Sequence, residues 1–581
     1  MSGAPPLFAE ALTQHQAGRL AEAEAAYRQL LIDHPDHPRL HFLLGALLQQ
    51  ANRQNEAVAH LKHSLSLEPE NLIALNALGA TLSDLGAAEE AEKTLKTALA
   101  LDPTYAKAAY NLGNLLLKTG RREEALDAFR QSIKASPEAI EPRNNLATIL
   151  QSLGRAKEAI AELKEAVRLN PSHPDLYYNL GVALFEIGHY EEAEAAYRQA
   201  ANLSPERAEF HNNLGIALAR LDRHQEAEAA YQKALALDPN FAKVWNNLGM
   251  LHQECGRLAE TEAEYRRAIE LSPDNPEAHW NLALCRLLQG DFIEGFAEYE
   301  WRWKIKGKLL FTPQSGQPIW RGEPLEGRTL LLHGEQGLGD TLQFCRYAKL
   351  LAERGEKIIL AVQKPLARLI TNLHPAVKVI PGGEALPAFD CHSPLLSLPH
   401  LLGGEIPSET SYLAANPHEV TAWEARLPPR DKRRRIGLVW AGSRTHRGDR
   451  LRSVSFGELA PLLKIDAHFI SLQLGEAANE AEGLIDLTSE IKDFADTAAL
   501  IACLDLVIGV DTAVLHLAGA MGRPAFMLLP FAPDWRWLLE RDDSPWYPSL
   551  RLFRQKRLGD WENVIGLMPT MSVKSDLINI G

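Results

Sequence analysis

The chain has 581 residues, and 61 Lys and Arg against 75 Asp and Glu give it a net charge of −14. At roughly 100–200 residues per domain, this length predicts several domains. An acidic chain is not expected to bind nucleic acid or an anionic membrane through its overall charge. Hydrophobic residues at 46% and charged residues at 23% are ordinary globular values, which argues against wholesale disorder.

The sequence carries no clear targeting or redox signal. No apolar run approaches the ~20 residues that a membrane helix needs, and the first residues lack the basic region and apolar core of a secretory signal. The cysteines are scattered, odd in number and form no CxxC pair: Cys255, Cys285, Cys345, Cys391 and Cys503. This usage fits a reduced compartment, so we expect a cytoplasmic protein without a membrane span.

The first half of the chain is periodic. Prolines recur every 34 residues from Pro35 to Pro273, and a small residue preceded by leucine recurs with the same step from Gly45 to Ala283. Small residues let helices approach closely, and proline marks the connection to the next unit. This helix-turn-helix period resembles the tetratricopeptide repeat. We therefore expect residues 1–303 to form an α-solenoid, a superhelix with a concave binding groove.

From the third repeat onward, an asparagine stands two residues before the small residue, where the earlier repeats have Leu43 and Ala77. The members of this asparagine column are Asn111, Asn145, Asn179, Asn213, Asn247 and Asn281. An amide offers both a donor and an acceptor, so such a row can hold a peptide backbone. The alternative is that these amides cap or bridge neighbouring repeats. The column resembles the one in the O-linked N-acetylglucosamine transferases, whose repeats hold extended proteins; this resemblance implies a protein acceptor in the groove.

The array ends in the aromatic stretch 296–303, and a connector over 304–325 follows. From Thr329, strand-like runs alternate with helical ones, which predicts parallel sheets. The predicted strands are 330–332, 358–362, 377–380, 436–440, 468–472, 506–510 and 525–529. A polar break at 416–435 separates two Rossmann-like domains, 326–425 and 432–581. Ligands in such sheets bind at the carboxyl ends of the strands.

Two of the loops at these strand ends are rich in glycine or arginine. In the first, Gly337 and Gly339 allow close approach of a ligand, and Asp340 either faces the cleft or caps the following helix. There is no Gly-Lys-Ser/Thr phosphate loop. The second loop, 440–453, includes Ser443 and the arginines 444, 447, 450 and 452. In a cleft these guanidinium groups would hold a diphosphate; otherwise the loop is a solvated basic segment.

The third loop begins at Asp511, which could accept hydrogen bonds from sugar hydroxyls. The helix behind it offers free N–H groups to an anion. His516 on this helix is more often structural than catalytic at such a position. The aromatic tail 533–548 could stack on a base or sugar, but such residues more often pack a chain across a domain.

Together, Gly339-Asp340 and the run from Val510 to Ala518 resemble glycosyltransferase family 9, the heptosyltransferase group. That family has the two-lobed GT-B arrangement and uses nucleotide sugars without a metal. The resemblance implies that Asp340 is the general base and that residues of the later loops bind the donor. Those residues are Asp511, Thr512, Ala513, Val514 and His516, with Ser443 and Arg452 in the arginine loop. Ala513 stands where the family commonly has glycine.

These features predict an inverting, metal-independent glycosyltransferase without a cofactor. Its donor would be a nucleotide sugar and its acceptor a protein in the repeat groove. Bacterial flagellins and other surface proteins are candidate acceptors, although no residue identifies one. One alternative is a heptosyltransferase-like enzyme acting on a glycan or lipid-linked acceptor. Another is a repeat scaffold whose transferase domain has lost activity.

Overall fold

The computed structural model describes residues 6–305, 316–407, 409–442 and 449–568. The chain divides into two compact units, residues 1–239 and 240–581. The division falls before residue 303, where we expected the repeats to end, because the last two helical hairpins group with the α/β region. Over the described ranges, no helix is both long enough and apolar enough to cross a membrane.

The first unit consists of antiparallel helix pairs, as the 34-residue period predicts. The helices are α1 Pro6–Gln16, α2 Leu20–Asp33, α3 Pro38–Gln50, α4 Gln54–Leu67, α5 Leu72–Asp84, α6 Ala88–Leu101, α7 Ala106–Lys118, α8 Arg122–Ala135, α9 Glu141–Ser152, α10 Ala156–Leu169, α11 Pro174–Glu186, α12 Tyr190–Leu203, α13 Ala208–Arg220 and α14 His224–Leu237. The periodic prolines lie in the turns that join one pair to the next.

The glycines of the small-residue column allow close packing between the two helices of a pair. A Cβ atom on Gly113 would lie 2.7 Å from Cε1 of Phe129, sixteen positions later on the second helix. Gly181 meets Tyr197 in the same way, at 2.6 Å. These contacts are shorter than carbon atoms tolerate, so the helices approach this closely because a side chain is missing.

The second unit begins with two more helix pairs. They are α15 Ala242–Glu254 with α16 Leu258–Leu271, and α17 Pro276–Leu288 with α18 Phe292–Tyr299. A 3-10 turn, Glu300–Lys304, ends the array. In the connector, Ile319 forms a parallel bridge to His392.

The first sheet is parallel, with strand order β3-β2-β1-β4. Its elements are β1 Thr329–His333, α19 Leu338–Glu353, β2 Lys357–Val362, α20 Lys364–Ile370, β3 Val377–Pro381, β4 Cys391–Pro394 and α21 Leu398–Leu401. The sequence did not predict β4. The expected polar break contains α22, Pro417–Glu424.

The second sheet is also parallel, with strand order β10-β9-β8-β5-β6-β7. Its elements are β5 Arg434–Val439, α23 Asp449–Arg452, β6 Ala467–Ser471, β7 Ile485–Asp486, α24 Phe494–Ala502, β8 Leu506–Val510, α25 Ala513–Ala520, β9 Ala525–Leu529, β10 Leu550–Arg554 and α26 Trp561–Gly566. Both orders follow the Rossmann pattern, which confirms the predicted pair of Rossmann-like sheets, following an α-solenoid in the chain.

Candidate functional site

The predicted loops lie where strand order reverses in each sheet. In the first sheet the order reverses between β1 and β4, and the Asp340 loop follows β1. In the second sheet it reverses between β5 and β8, so the arginine loop and the Asp511 turn follow adjacent strands. Such reversal points form the ligand crevice of open parallel sheets. The topology therefore puts the predicted loops at the edges where a ligand would bind.

Asp340 caps its own helix and also pairs with an arginine. The backbone N–H of Gly337 donates to its Oδ2 at 2.7 Å, which satisfies one of the free donors at the start of α19. Its Oδ1 accepts a hydrogen bond from Nη2 of Arg536. Both carboxylate oxygens are therefore engaged, and the side chain is 18% exposed. The capping alternative is correct for this residue, and it leaves the catalytic prediction open.

Asp511 follows directly after β8 and lies beside the indole of Trp537 and the imidazole of His516. Nε1 of Trp537 donates to Oδ2 at 2.9 Å, and Nε2 of His516 lies 3.5 Å from Oδ1. Burial alone would raise the pKa of Asp511, but His516, Trp537 and the charge of Arg452 outweigh it and lower that pKa. The aspartate is thus a carboxylate at neutral pH, able to accept hydrogen bonds from hydroxyl groups.

His516 is buried between the Asp511 turn and the Asp340 helix. Its Nδ1 lies 2.9 Å from the hydroxyl of Tyr547. On its other side, a Cβ atom on Gly339 would lie 2.9 Å from Cδ2 of His516. Gly339 is therefore needed where the two lobes of the α/β region touch. A Cβ atom on Gly337 would lie 3.1 Å from the Asp340 carboxylate, so the helix cap leaves little room for a side chain at this position.

The start of α25 has the properties of an anion site. Thr512 precedes the helix as its N-cap, Ala513 is its first residue, and Val514 follows. The first N–H groups of a helix have no partner inside the helix and lie at its positive end. The Oγ1 atom of Thr512 is buried and, among the described residues, has no hydrogen-bond partner. A donor phosphate at this position would satisfy these groups.

Part of the arginine loop lies outside the described residues, including Ser443, Arg444 and Arg447. Arg452 is described: its Nε lies 3.3 Å from Oδ1 of Asp449. A Cβ on Gly442 would lie 2.4 Å from Nη2 of Arg452, so the guanidinium rests directly against the backbone after β5. It is 18% exposed, and its charge acts on Asp511.

Sequence reasoning missed two residues that contact the predicted carboxylates. Arg536 pairs with Asp340, and Trp537 donates a hydrogen bond to Asp511. They belong to the 3-10 turn Trp535–Trp537 in the aromatic tail. The three side chains are buried, as the packing alternative for this tail predicts. The only signal in the sequence was the high density of tryptophan in this tail. It did not indicate which residues the tail would contact.

The asparagine column forms bridges between repeats. The Nδ2 donors and their acceptors are Asn111 to Asn76 at 2.8 Å, Asn145 to Asn114 at 2.9 Å, Asn179 to Asn144 at 2.7 Å, Asn213 to the Tyr178 hydroxyl at 3.1 Å and Asn281 to Asn246 at 3.0 Å. Asn247 lies on α15. Each of the five amides thus donates a hydrogen bond to the preceding repeat, which is the bridging role given above as the alternative to binding a peptide. All six remain partly exposed, so the predicted contact with a peptide stays a prediction.

A pocket of about 400 Å³ lies beside the carboxyl ends of β1 and β4. Its lining includes Trp303, Trp320, His333, His392 and Ser397. Burial, with the nearby His392 and Arg302, lowers the pKa of His333 to about 3. The imidazole of His333 is therefore neutral, and the pocket combines indole rings with histidine and serine side chains and with the charged Glu300 and Arg321. Among the described residues, no cluster of three or more His, Cys, Asp or Glu side chains could hold a metal ion.

Family comparisons agree with this architecture. Tetratricopeptide repeat models match residues 8–71, 82–149, 148–188, 183–240, 230–263 and 252–290. The model of glycosyltransferase family 9 (heptosyltransferase) matches residues 456–529, which hold β6, β8, α25 and β9. The N-terminal region therefore consists of tetratricopeptide repeats, and the C-terminal match supports a glycosyltransferase.

One curated relative and several solved structures are similar. The chain is 31% identical over 312 residues to Protein FlbA of Caulobacter vibrioides, covering 48% of this chain and 52% of that protein. It thus spans about half the length of this relative. YrrB, a TPR protein with an unusual peptide-binding site, is 24% identical with a TM-score of 0.30 over 34% of this chain and 97% of its own. The APC/C hetero-tetramer Cut9-Hcn1 is 20% identical with a TM-score of 0.34. That match covers 48% of this chain and 55% of the other chain.

Proposed function

We propose that the protein is a glycosyltransferase that moves a sugar from a nucleotide-sugar donor to a protein acceptor bound by the repeats. The observation that carries the proposal is the contact network between two predicted loops. His516 packs against Gly339, and one turn hydrogen-bonds both Asp340 and Asp511. A base and a donor-holding turn must face the same bound substrate, and this network brings their loops together.

In this proposal the donor diphosphate lies at the start of α25. The N–H groups of Thr512, Ala513 and Val514 and the Thr512 hydroxyl bind its oxygens, while Asp511 accepts hydrogen bonds from sugar hydroxyls. The guanidinium of Arg452 supplies positive charge near the same turn. These groups stabilise the negative charge that develops on the leaving diphosphate, so the proposed reaction needs no metal.

Transfer then proceeds by direct displacement. An acceptor hydroxyl oxygen attacks the anomeric carbon while the bond from that carbon to the diphosphate oxygen breaks. Asp340 takes the proton of the hydroxyl, and the nucleoside diphosphate leaves with the bonding electron pair. Displacement from the opposite face inverts the anomeric centre. This assignment makes the two lobes of the α/β region a GT-B type site.

The test combines donor binding with a single substitution. Calorimetry with UDP, GDP, ADP and CMP should find a nucleotide that binds the full chain, and mass spectrometry should find the sugar on a host protein. Asp340→Asn should lower transfer by ~10²–10⁴-fold and leave the nucleotide affinity unchanged. Asn keeps an oxygen for the Gly337 N–H, so the helix cap is retained, while its NH2 group replaces the oxygen that accepts from Arg536. Transfer at the normal rate by this variant would remove Asp340 from its role.

A glycan acceptor is the second candidate, and the pocket near β1 and β4 favours it. Indole rings with several hydrogen-bonding side chains suit a polyhydroxylated ring, as does the volume of about 400 Å³. The repeats would then serve only for docking. A labelled sugar nucleotide offered in parallel to host proteins and to host glycans separates the two candidates. A chain that binds none of the nucleotides would instead be a repeat scaffold.

A further inference from the structure

We propose that the turn Trp535–Trp537 is a brace that positions both reacting loops, with Arg536 orienting Asp340 and Trp537 orienting Asp511. The inference rests on the proposed function and adds two positioning residues to it. Neither residue needs to touch the substrate, because each acts through the carboxylate that it holds.

Arg536 is fixed on three sides. Its Nη2 pairs with Asp340, its Nε donates to Oε1 of Gln343 at 2.6 Å, and its Nη1 donates to Oδ1 of Asp534 at 2.9 Å. Gln343 lies one helical turn beyond Asp340 on α19, so the guanidinium spans the first turn of that helix. A planar group held at three points leaves Asp340 one orientation for its second oxygen.

Trp537 is the next residue, and its indole N–H donates to Asp511. The ring is 0% exposed and lies 5.3 Å from the ring of His516, measured between centroids. Because the two residues are adjacent in the chain, movement of the turn would move both carboxylates. The turn therefore sets the distance between the Asp340 carboxylate, which follows the first sheet's β1, and the Asp511 carboxylate, which follows the second sheet's β8.

Arg554, at the end of β10, fixes the backbone of the turn and of the residues that follow it. Its guanidinium donates to the backbone carbonyls of Trp537 at 2.5 Å, Leu538 at 2.9 Å and Arg541 at 2.8 Å. Leu538 has φ of 53°, a left-handed conformation that a branched residue rarely adopts. Such a conformation persists only where the surroundings impose it, and the Arg554 contacts do so.

Two variants and a matched control test the brace in the full chain. Arg536→Met should speed hydrogen exchange in the first turn of α19 and spare the start of α25. Trp537→Phe should do the reverse. Trp535→Phe is the control: Trp535 packs on Phe296 and Trp546, it has no hydrogen bond to either carboxylate, and phenylalanine keeps an aromatic ring under the Arg536 guanidinium, which lies 4.4 Å from the centre of the Trp535 ring. Equal loosening of both segments by both variants, or by the control, would overturn the brace.

Kinetic measurements separate a positioning role from a packing role, because a residue that only packs would not change kcat and donor affinity separately. The probes are UDP-N-acetylglucosamine, UDP-glucose, GDP-mannose and ADP-heptose, and the one that binds is used for all variants. Arg536→Met should lower kcat about tenfold at unchanged donor affinity, with part of the rate restored in Arg536→Lys. Trp537→Phe should weaken donor binding about tenfold. Unchanged kcat and affinity in both variants would refute the positioning roles and leave the proposed function standing.

If the wild-type chain binds none of the four sugar nucleotides, the proposed function in this form fails. The exchange pattern then decides the brace by itself, because it needs no ligand. Selective loosening supports the brace as a structural link between the two loops, and uniform loosening overturns it.

Discussion

The buried pair of Arg302 and Glu335 joins the end of the repeat array to the loop after β1, and it offers a quantitative test. Both side chains are 0% exposed. Arg302 donates to the two carboxylate oxygens at 2.8 and 3.1 Å and to Oγ of Ser397 at 2.8 Å. The change is Arg302→Met, which keeps most of the side-chain volume and leaves Glu335 buried without its cation.

Removing one partner of a buried pair costs about 3–5 kcal/mol, because the remaining charge stays desolvated. If opening of this region limits exchange, the protection factors of the Leu331 and Leu332 amides should fall by about 10²- to 10⁴-fold. Exchange is the appropriate measurement, since a chain of several domains has no single unfolding free energy. The exposed pair of Arg433 and Asp431 is the control; Arg433→Ala should leave the protection factors nearly unchanged, because solvent screens exposed pairs.

The pH dependence of the deficit gives a second check. Burial raises the pKa of Glu335 even beside Arg302, and loss of the arginine should raise it further. A raised pKa in the folded state favours stability at low pH and removes it as pH rises. The deficit of Arg302→Met should therefore shrink between pH 7 and pH 5. The double variant Arg302→Met/Glu335→Leu should recover most of the protection. Equal protection in the wild type and the single variant would refute the reasoning.

The remaining predictions concern the first unit. Gly113→Ala should lower the melting temperature, because overpacking against Phe129 costs about 1–3 kcal/mol; no change would show that the ring shifts freely. Asn179→Leu should weaken the bridge to Asn144 by about 0.5–1.5 kcal/mol, measured by exchange in the two repeats it joins. Burial lowers the pKa of His41, so unfolding of the first repeats should become easier as pH falls below about 6.5; His41→Tyr should reduce this dependence.

Much of the solenoid could be predicted from the sequence because each repeat contacts mainly its neighbours. Local spacing therefore determines which residues meet, and Gly113 against Phe129 is one example. The boundary between the units could not be predicted in this way. The last two helix pairs group with the α/β region through contacts such as that of Arg302 with Glu335, and these depend on residues outside the repeat period.

The strands with strong apolar runs were predicted, and the weak ones were missed. β4 has four residues, Cys391–Pro394, two of them polar, yet all four are buried because β1 pairs with it on one side. β10 has the sequence Leu-Arg-Leu-Phe-Arg, and Arg554 at its end donates hydrogen bonds to the turn near the site. Tertiary context decides such segments, since short runs carry little periodicity of their own.

The site divides in the same way. Glycines and an aspartate directly after a strand indicated the loops at Asp340 and Asp511. Their partners did not follow from spacing, because Arg536 lies 196 residues from Asp340 in the chain. The asparagine column was recognised, but its inter-repeat bonds depend on which residue the preceding repeat offers. Tyr178 serves Asn213 where an asparagine serves Asn179.

Capping and catalysis by Asp340 are compatible. A carboxylate offers about four lone-pair positions on two oxygens. The Gly337 N–H uses one of them on Oδ2, and Arg536 uses one on Oδ1. Two positions remain for an acceptor hydroxyl, and the two bonds hold the group rigid before the substrate arrives. A flexible aspartate would have to lose rotational freedom at the moment of reaction, which this one has already lost. The cap that makes the residue look structural is thus also what would make it an oriented base.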